Sequence, residues 1–206
     1  MSAPLAVGVL ASGRGSNLQA LLDACATPGY PARIVVVISD REQAQALERA
    51  RAAGVEAVWV NPKDFADREA FDLALVRELR ARDVGLVCNA GFMRILTPVW
   101  VREFAGSALN IHPSLLPAFP GLHAQRQALD HGVKVAGATV HFVDDTLDGG
   151  PIVLQATVPV EPGDTETTLA ARILIQEHRL YPEAVRLFAE GRLEIVGRRV
   201  RIKEAR

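Results

Sequence analysis

The chain has 206 residues, of which 49% are hydrophobic and 5% aromatic, so it can bury one full hydrophobic core. Its formal net charge of -1 and pI near 6.5 create no field that would attract nucleic acid or an anionic membrane. Small molecules are therefore the expected partners. The first apolar run is too short to span a membrane and follows no basic segment, which predicts a cytoplasmic protein. We expect a single domain over residues 1–206.

The first half of the chain alternates between apolar strands and helices. Short apolar or β-branched runs predict strands over residues 5–11, 34–38, 55–60, 84–88 and 109–111. Helices are predicted after Asn17, over residues 43–53, after the cap Asp67, and over residues 99–104 behind Thr97-Pro98. Strands that are apolar on both faces and alternate with helices predict a doubly wound, mostly parallel α/β sheet with helices on both faces.

The pattern changes in the second half. Residues 135–143 and 152–160 are predicted to be neighbouring antiparallel strands on either side of an Asp-rich turn. A helix is predicted over residues 122–131, and another over residues 165–179 that restarts at Pro182. Residues 193–202 are predicted to form a terminal hairpin around Gly197-Arg198.

A glycine loop, Gly13-Arg-Gly-Ser-Asn17, joins the first strand to the first helix. The amides and the dipole at such a helix start favour an anion such as phosphate, although the glycines could also serve only a tight turn. A dinucleotide fingerprint would need glycine at Leu18, and a GxxxxGK[ST] loop would need a lysine. The loop therefore favours a phosphate over NAD or ATP.

Asn110 and His112 end a strand in the segment NIHPSLLPAFPG. Residues two apart on a strand share a face, so an amide and an imidazole could converge on one carbonyl oxygen. Asp148 lies in a turn before two glycines that permit close backbone approach, and it could keep His112 protonated. No GxSxG serine or activated cysteine is evident. These three residues predict direct acyl transfer without a covalent intermediate.

A zinc site is an alternative use of the same side chains, since His112, His123, His141 and the Asp cluster include metal-binding groups. The tight ligand spacing of known zinc motifs does not occur, so no metal is predicted. His141 lies on an otherwise apolar strand and is interpreted as a packed or supporting histidine.

Five motifs, SGRGSNLQAL, AGFMRIL, NIHPSLLPAFPGLHAQRQAL, HFVDDTLDGGPIVLQ and IQEHRLYP, together resemble the phosphoribosylglycinamide formyltransferase family. The resemblance spans residues 7 to about 191. It implies a Rossmann-like formyltransferase fold. It also implies transfer of a formyl group from 10-formyltetrahydrofolate, a co-substrate, to the amine of glycinamide ribonucleotide in de novo purine (IMP) biosynthesis.

The resemblance also implies roles for individual residues. Asn110, His112 and Asp148 match the catalytic residues of the family. The ribonucleotide would be bound by Gly15, Ser16, Asn17, Leu174, Ile175, Gln176 and Glu177. The folate would be bound by Arg68, Met93, Arg94, Ile95, Leu96, Asn110, Asp144, Asp145, Thr146 and Leu147. The chain departs from common family patterns at Asp40, at Asn89 and in a basic tail over residues 198–206.

Other functions are compatible with parts of these motifs. Methionyl-tRNA formyltransferase shares the core motif but would need a tRNA-binding domain, and formyltetrahydrofolate deformylase would need a regulatory domain before the first strand. A catalytically silent nucleotide-binding module could share the fold. The sequence leaves both a monomer and a homodimer open.

Overall fold

The computed structural model describes residues 3–204, and the chain divides into two compact units between Leu109 and Asn110. Strand β5 (Ala108–His112) carries the chain from the first unit into the second. The first unit contains β1 (Leu5–Leu10), α1 (Ser16–Cys25), β2 (Ala32–Ser39), α2 (Gln45–Ala52), β3 (Glu56–Trp59), a 3-10 helix (Pro62–Asp64), α3 (Arg68–Arg80), β4 (Leu86–Asn89) and α4 (Pro98–Glu103).

The strands of the first unit follow the order β3-β2-β1-β4 and all pair in parallel. Every residue of β4 and the last four residues of β1 and β2 are buried. Successive residues of a strand point to opposite faces, so both faces of this sheet are covered. The predicted α/β sheet, mostly parallel with helices on both faces, is confirmed.

The second unit contains α5 (Ala124–Asp130), β6 (Val135–Phe142), β7 (Ile152–Pro159), α6 (Glu166–Ala189), β8 (Leu193–Val196) and β9 (Arg199–Ile202). β6 and β7 pair antiparallel, as predicted, and β8 and β9 form the predicted terminal hairpin. β9 also pairs in parallel with β7, through Arg199 and Ile152. The end of the predicted basic tail, residues 205–206, lies outside the described residues.

Two predicted helix boundaries are wrong. α5 begins at Ala124 because His123 has a φ of +58°, a left-handed conformation that cannot continue an α-helix backward to Leu122. α6 does not restart at Pro182 but runs through it. The buried Leu180, Tyr181 and neighbouring apolar side chains of this long helix outweigh the loss of one backbone donor.

Of two predicted helix starts, one is capped by its side chain and the other is not. Asp67 caps α3, and its side chain accepts a hydrogen bond of 2.8 Å from the amide of Ala70. Thr97 does precede Pro98 at the start of α4, but its hydroxyl makes no capping bond. Its amide instead donates to Asp72 Oδ2 at 2.6 Å.

No helix within residues 3–204 is both long and apolar enough to span a membrane.

Candidate active site

Asn110 and His112 lie at the carboxyl end of β5, as the sequence predicts. The alternation of side chains along a strand puts them on one face and sends Leu109 and Ile111 to the other, where both are buried. His112 is also buried, whereas Asn110 is half-buried. The strand therefore fixes the two polar side chains next to each other through the packing of their apolar neighbours.

Asp148 joins these two residues in the second unit. It lies in the turn between β6 and β7 and has a φ of +50°. Its Oδ1 lies 3.4 Å from Asn110 Nδ2, and its Oδ2 lies 3.4 Å from His112 Nδ1. The amide of Gly121 donates to Oδ2 at 2.7 Å, which orients the carboxylate. The structure thus brings together the three residues that the sequence singled out for acyl transfer.

Both ring nitrogens of His112 face hydrogen-bond acceptors. Nε2 lies 2.9 Å from the carbonyl oxygen of Phe119, and Nδ1 faces Asp148 Oδ2. A backbone carbonyl can only accept, so Nε2 carries a hydrogen. A second hydrogen on Nδ1 would complete the contact with the carboxylate. The doubly protonated imidazolium is therefore the form that satisfies both neighbours.

His141 is a fourth member of the cluster. It is buried on β6, with Nδ1 2.9 Å from the carbonyl oxygen of Phe142. Nε2 lies 3.2 Å from Asn110 Nδ2 and 3.7 Å from Asp148 Oδ1. Because the Phe142 carbonyl requires a hydrogen on Nδ1, the neutral ring presents the Nε2 lone pair to the Asn110 amide. The ring supports Asn110 rather than only filling the core.

Burial is the largest cause that lowers the pKa of His141 below its ordinary value of 6.5. The positive charge of His112 acts in the same direction, while the Phe142 carbonyl, Asp148 and Asp144 oppose it.

The sequence does contain a weak signal that His141 supports the site. Thr139 and His141 are two apart on a mostly apolar strand, which marks a polar stripe on one of its faces.

Close approach by neighbouring atoms explains the two glycines that follow Asp148. A Cβ on Gly149 would overlap Thr146 Oγ1, and a Cβ on Gly150 would overlap the carbonyl oxygen of Phe142. Neither position can accept a side chain without moving the turn. The predicted close backbone approach is confirmed at Gly150, whereas Gly149 is approached by the Thr146 side chain.

The loop over residues 113–121 provides the carbonyl that contacts His112 and the amide that contacts Asp148. A buried threonine of β6 supports this loop, since Thr139 Oγ1 accepts from the Leu116 amide at 3.1 Å and donates to the Ser114 carbonyl at 2.7 Å. Gln155 of β7 donates to both Thr139 Oγ1 and the Leu116 carbonyl, at 2.9 Å each. β6 and β7 therefore set the position of the loop.

The predicted folate residues of the second unit form a turn of their own. Asp144 Oδ1 accepts a hydrogen bond of 2.9 Å from the Thr146 amide. Asp145, Thr146 and Leu147 are exposed, and Leu147 presents an apolar side chain that is 61% exposed. This turn could offer both polar and apolar contacts to a ligand.

The predicted ribonucleotide residues of α6 do not share one environment. Ile175 is 67% exposed, Leu174 and Gln176 are half-buried, and Glu177 is buried. A helix turns about 100° per residue, so four consecutive side chains must point in different directions. Their joint contact with one substrate remains a prediction.

In the first unit, the glycine loop has the conformation expected before a helix start. Gly15 has a φ of +70°, and α1 begins at Ser16, so the amides of its first turn lie at the loop. A Cβ on Gly15 would lie 2.9 Å from both Cα and Cβ of Ala46 on α2. Arg49 of the same helix donates to the Arg14 carbonyl at 2.8 Å. α2 therefore fixes the loop at two points.

The predicted folate segment of the first unit, residues 93–96, is tied to two other segments. Ser12, which precedes the glycine loop, accepts a hydrogen bond of 2.8 Å from the Met93 amide through Oγ. Arg68 donates to the Ile95 carbonyl at 2.6 Å, so two of the predicted folate residues contact each other. The side chains of Met93 and Ile95 are exposed.

Arg94 turns away from that exposed surface. Its guanidinium lies over the Phe71 ring, 5.0 Å from the centroid, and 3.8 Å from Asp40 Oδ2. Asp40, one of the departures from the family pattern, is thus the partner of a residue within a family motif.

The geometry does not support the zinc alternative in its predicted form. The side chain of His123 is 76% exposed, and its Nδ1 lies 3.9 Å from Glu166 Oε1. Within residues 3–204, no group of three or more His, Cys, Asp or Glu side chains has an arrangement that could hold a metal ion.

Comparison with known proteins identifies the family. Residues 5–185 match the formyl transferase family model. The chain belongs to the formyl transferase family. It is 50% identical over 187 residues to phosphoribosylglycinamide formyltransferase of Escherichia coli K12, covering 91% of this chain and 88% of that protein. It is also 50% identical over 197 residues to phosphoribosylglycinamide formyltransferase of Mycobacterium tuberculosis, covering 96% of this chain and 91% of that protein.

A solved relative has nearly the same fold. Glycinamide ribonucleotide transformylase 1 of Symbiobacterium toebii is 60% identical, with a TM-score of 0.96 over 98% of this chain and 95% of that one. Some relatives are much longer. The chain is 50% identical over 192 residues to the trifunctional purine biosynthetic protein adenosine-3 of Drosophila pseudoobscura pseudoobscura, of which it spans 14%.

Proposed function

We propose that this formyl transferase moves the formyl group of 10-formyltetrahydrofolate to the amine of glycinamide ribonucleotide. The products are formylglycinamide ribonucleotide and tetrahydrofolate, in de novo purine biosynthesis. One observation carries the proposal: Asn110, His112 and Asp148 converge in the second unit. The first two offer hydrogen-bond donors to a tetrahedral oxyanion, and the carboxylate stabilises the positive imidazolium. The names of the Escherichia coli and Mycobacterium tuberculosis relatives support the choice of substrates.

The reaction requires one bond to form and one to break. The substrate amine attacks the formyl carbon, and the carbonyl oxygen becomes an oxyanion on a tetrahedral carbon. The bond between that carbon and N10 of the folate then breaks. The amine loses a proton, and the folate nitrogen gains one. No covalent intermediate with the protein is formed.

His112 supplies one donor to the oxyanion. Its Nε2 is engaged by the Phe119 carbonyl at 2.9 Å, so Nδ1 is the nitrogen that faces the reacting group. The contact from Nδ1 to Asp148 Oδ2 is 3.4 Å, longer than a strong charge-assisted hydrogen bond. The Nδ1 hydrogen can therefore shift toward an oxyanion while the carboxylate still stabilises the positive ring.

Asn110 supplies the second donor. Both hydrogens of Nδ2 have partners, His141 Nε2 at 3.2 Å and Asp148 Oδ1 at 3.4 Å. The second contact is close to the limit for a hydrogen bond and is the weaker one. An oxyanion can replace Asp148 at this hydrogen, while His141 continues to hold the amide in place.

The remaining binding roles are assigned from the family resemblance. The backbone and side chains of Gly15, Ser16 and Asn17 bind the ribonucleotide phosphate, and residues 174–177 bind the rest of the ribonucleotide. Residues 68, 93–96, 110 and 144–147 bind the folate co-substrate. The steps above use no metal, and we propose that residues 1–206 act as a single formyltransferase domain.

The test is a formyl-transfer assay with glycinamide ribonucleotide and 10-formyltetrahydrofolate. The absorbance of the folate product measures the rate. Loss of one oxyanion donor typically costs about 3 kcal/mol, so Asn110→Ala and His112→Ala should each lower kcat at least about 100-fold. His123→Ala, which removes an exposed histidine of the same unit, should retain wild-type turnover.

Three results would overturn the proposal in different ways. Near-wild-type rates in Asn110→Ala or His112→Ala would remove the assigned oxyanion donors. Formate release without ribonucleotide, and no product with it, would identify a hydrolase. Binding of both compounds by calorimetry without any turnover would identify a silent binding module.

A further inference from the structure

Arg198 connects the terminal hairpin to the turn that carries Asp148. Its Nη2 donates a hydrogen bond of 2.8 Å to the carbonyl oxygen of Gly149. Gly149 directly follows Asp148, the carboxylate that contacts Asn110 and His112. The match to the family model ends at residue 185, so the hairpin lies beyond the matched segment.

The turn has its own internal bonds. The Gly149 amide donates to the Thr146 carbonyl at 3.2 Å, and the Thr146 amide donates to Asp144 Oδ1 at 2.9 Å. These bonds join residues within the turn, so they fix its shape. The Arg198 bond is different in kind, because it joins the backbone of the turn to a separate element 49 residues away.

The hairpin that presents Arg198 is itself anchored. β9 pairs with β7 at Arg199 and Ile152, immediately beside the Arg198 position. At the open end of the hairpin, the Lys203 amide donates to the Arg192 carbonyl at 2.8 Å, and Arg192 Nε donates to the Lys203 carbonyl at 2.7 Å. These contacts hold the backbone of the hairpin, from which the Arg198 side chain extends.

We propose that Arg198 is a positioning residue that holds the Asp148 turn in register with Asn110 and His112. The inference rests on the proposed function, because it assumes that Asp148 acts in formyl transfer. The contacts of Asp148 with Asn110 and His112 are both 3.4 Å, so a small shift of the turn breaks them. The same turn carries the proposed folate residues 144–147, so the shift also weakens folate binding.

The experiment compares Arg198→Ala and Arg198→Lys with a matched control, Arg201→Ala. Arg201 lies on the same hairpin, paired in register with Glu194, and its loss removes the same charge. The bond is exposed, and water can replace part of it, so we expect Arg198→Ala to lower kcat/KM for 10-formyltetrahydrofolate about threefold. KM for the ribonucleotide should be unchanged. Arg198→Lys should recover part of the loss, and Arg201→Ala should match the wild type.

Hydrogen–deuterium exchange provides a readout that does not depend on activity. Amides of residues 144–150 should exchange faster in Arg198→Ala than in the wild type or Arg201→Ala, while β6 and β7 keep their protection. Unchanged exchange in the turn would overturn the inference, as would equal effects of Arg198→Ala and Arg201→Ala. Faster exchange throughout β6 and β7 would also overturn it, because it would indicate a general structural role.

These results separate the inference from the proposed function. A wild-type protein without formyl transfer would overturn the proposed function, and the inference with it, whatever the exchange data show. An active wild type whose Arg198→Ala variant keeps its kinetics and its exchange would overturn the inference alone.

Discussion

His141 provides a direct test of how the Asn110 amide is oriented. His141→Leu removes the acceptor that lies 3.2 Å from Asn110 Nδ2 and leaves the 3.4 Å contact with Asp148. A buried donor without a partner costs about 1–3 kcal/mol. If that loss acts in the transition state, kcat should fall about 5- to 150-fold. His141→Gln keeps an acceptor oxygen of similar reach, so its kcat should lie closer to the wild type.

The lowered pKa of His141 adds a prediction about stability. In the unfolded chain, this histidine takes up a proton as the pH falls below its ordinary value of 6.5, whereas the buried ring in the folded protein stays neutral. The unfolded state then binds more protons, so the free energy of unfolding decreases as the pH is lowered. The stabilisation is complete above pH 6.5 and is lost as the pH falls toward the folded pKa.

Steady-state kinetics and urea unfolding at pH 7.5 and 5.5 check both points. The wild type should lose more unfolding free energy between these two pH values than His141→Gln, whose side chain does not titrate. Equal losses in the two proteins would refute the neutral, buried histidine. Equal kcat values for His141→Leu and the wild type would refute its role in orienting Asn110.

Three further predictions concern the glycine loop, its link to the folate segment and the longest helix. Gly15→Ala should raise KM for the ribonucleotide about tenfold or more, because positive φ strains alanine and its Cβ would meet α2 at 2.9 Å. Gly29→Ala is the control, because Gly29 also has a positive φ, +84°, but has open space around it. It imposes backbone strain without a contact, and KM should be unchanged. Ser12→Ala, which removes the acceptor for the Met93 amide, should raise KM for formylfolate while kcat changes less; an unchanged KM contradicts this. Thr165→Ala should lower the free energy of unfolding by about 1 kcal/mol in urea, and no change would contradict its capping role.

Local rules were sufficient for much of the architecture. The alternation of apolar runs with helical spacing predicted the parallel sheet, and period-two alternation placed Asn110 and His112 on one face. The glycines after Asp148 were predicted to permit close backbone approach, and the Phe142 carbonyl beside Gly150 confirms that reason. Each of these predictions depends on neighbours within a few residues.

The contacts that complete the site could not be read in this way. His141 meets Asn110 across 31 residues, and Arg198 meets Gly149 across 49. His112 depends on a carbonyl at Phe119, and a carbonyl is present at every position of the chain, so the residue type carries no signal. The path of α6 through Pro182 likewise follows from tertiary burial, which overrides a local rule.

Backbone groups, rather than side chains, orient the titratable members of the cluster. The Phe119 carbonyl engages His112, the Gly121 amide engages Asp148, and the Phe142 carbonyl engages His141. A backbone group keeps its dipole whatever side chain it carries, so the electrostatics of the site depend on the path of the chain. The residues that fix that path, such as Thr139 beneath the 113–121 loop, therefore control the chemistry without touching a substrate.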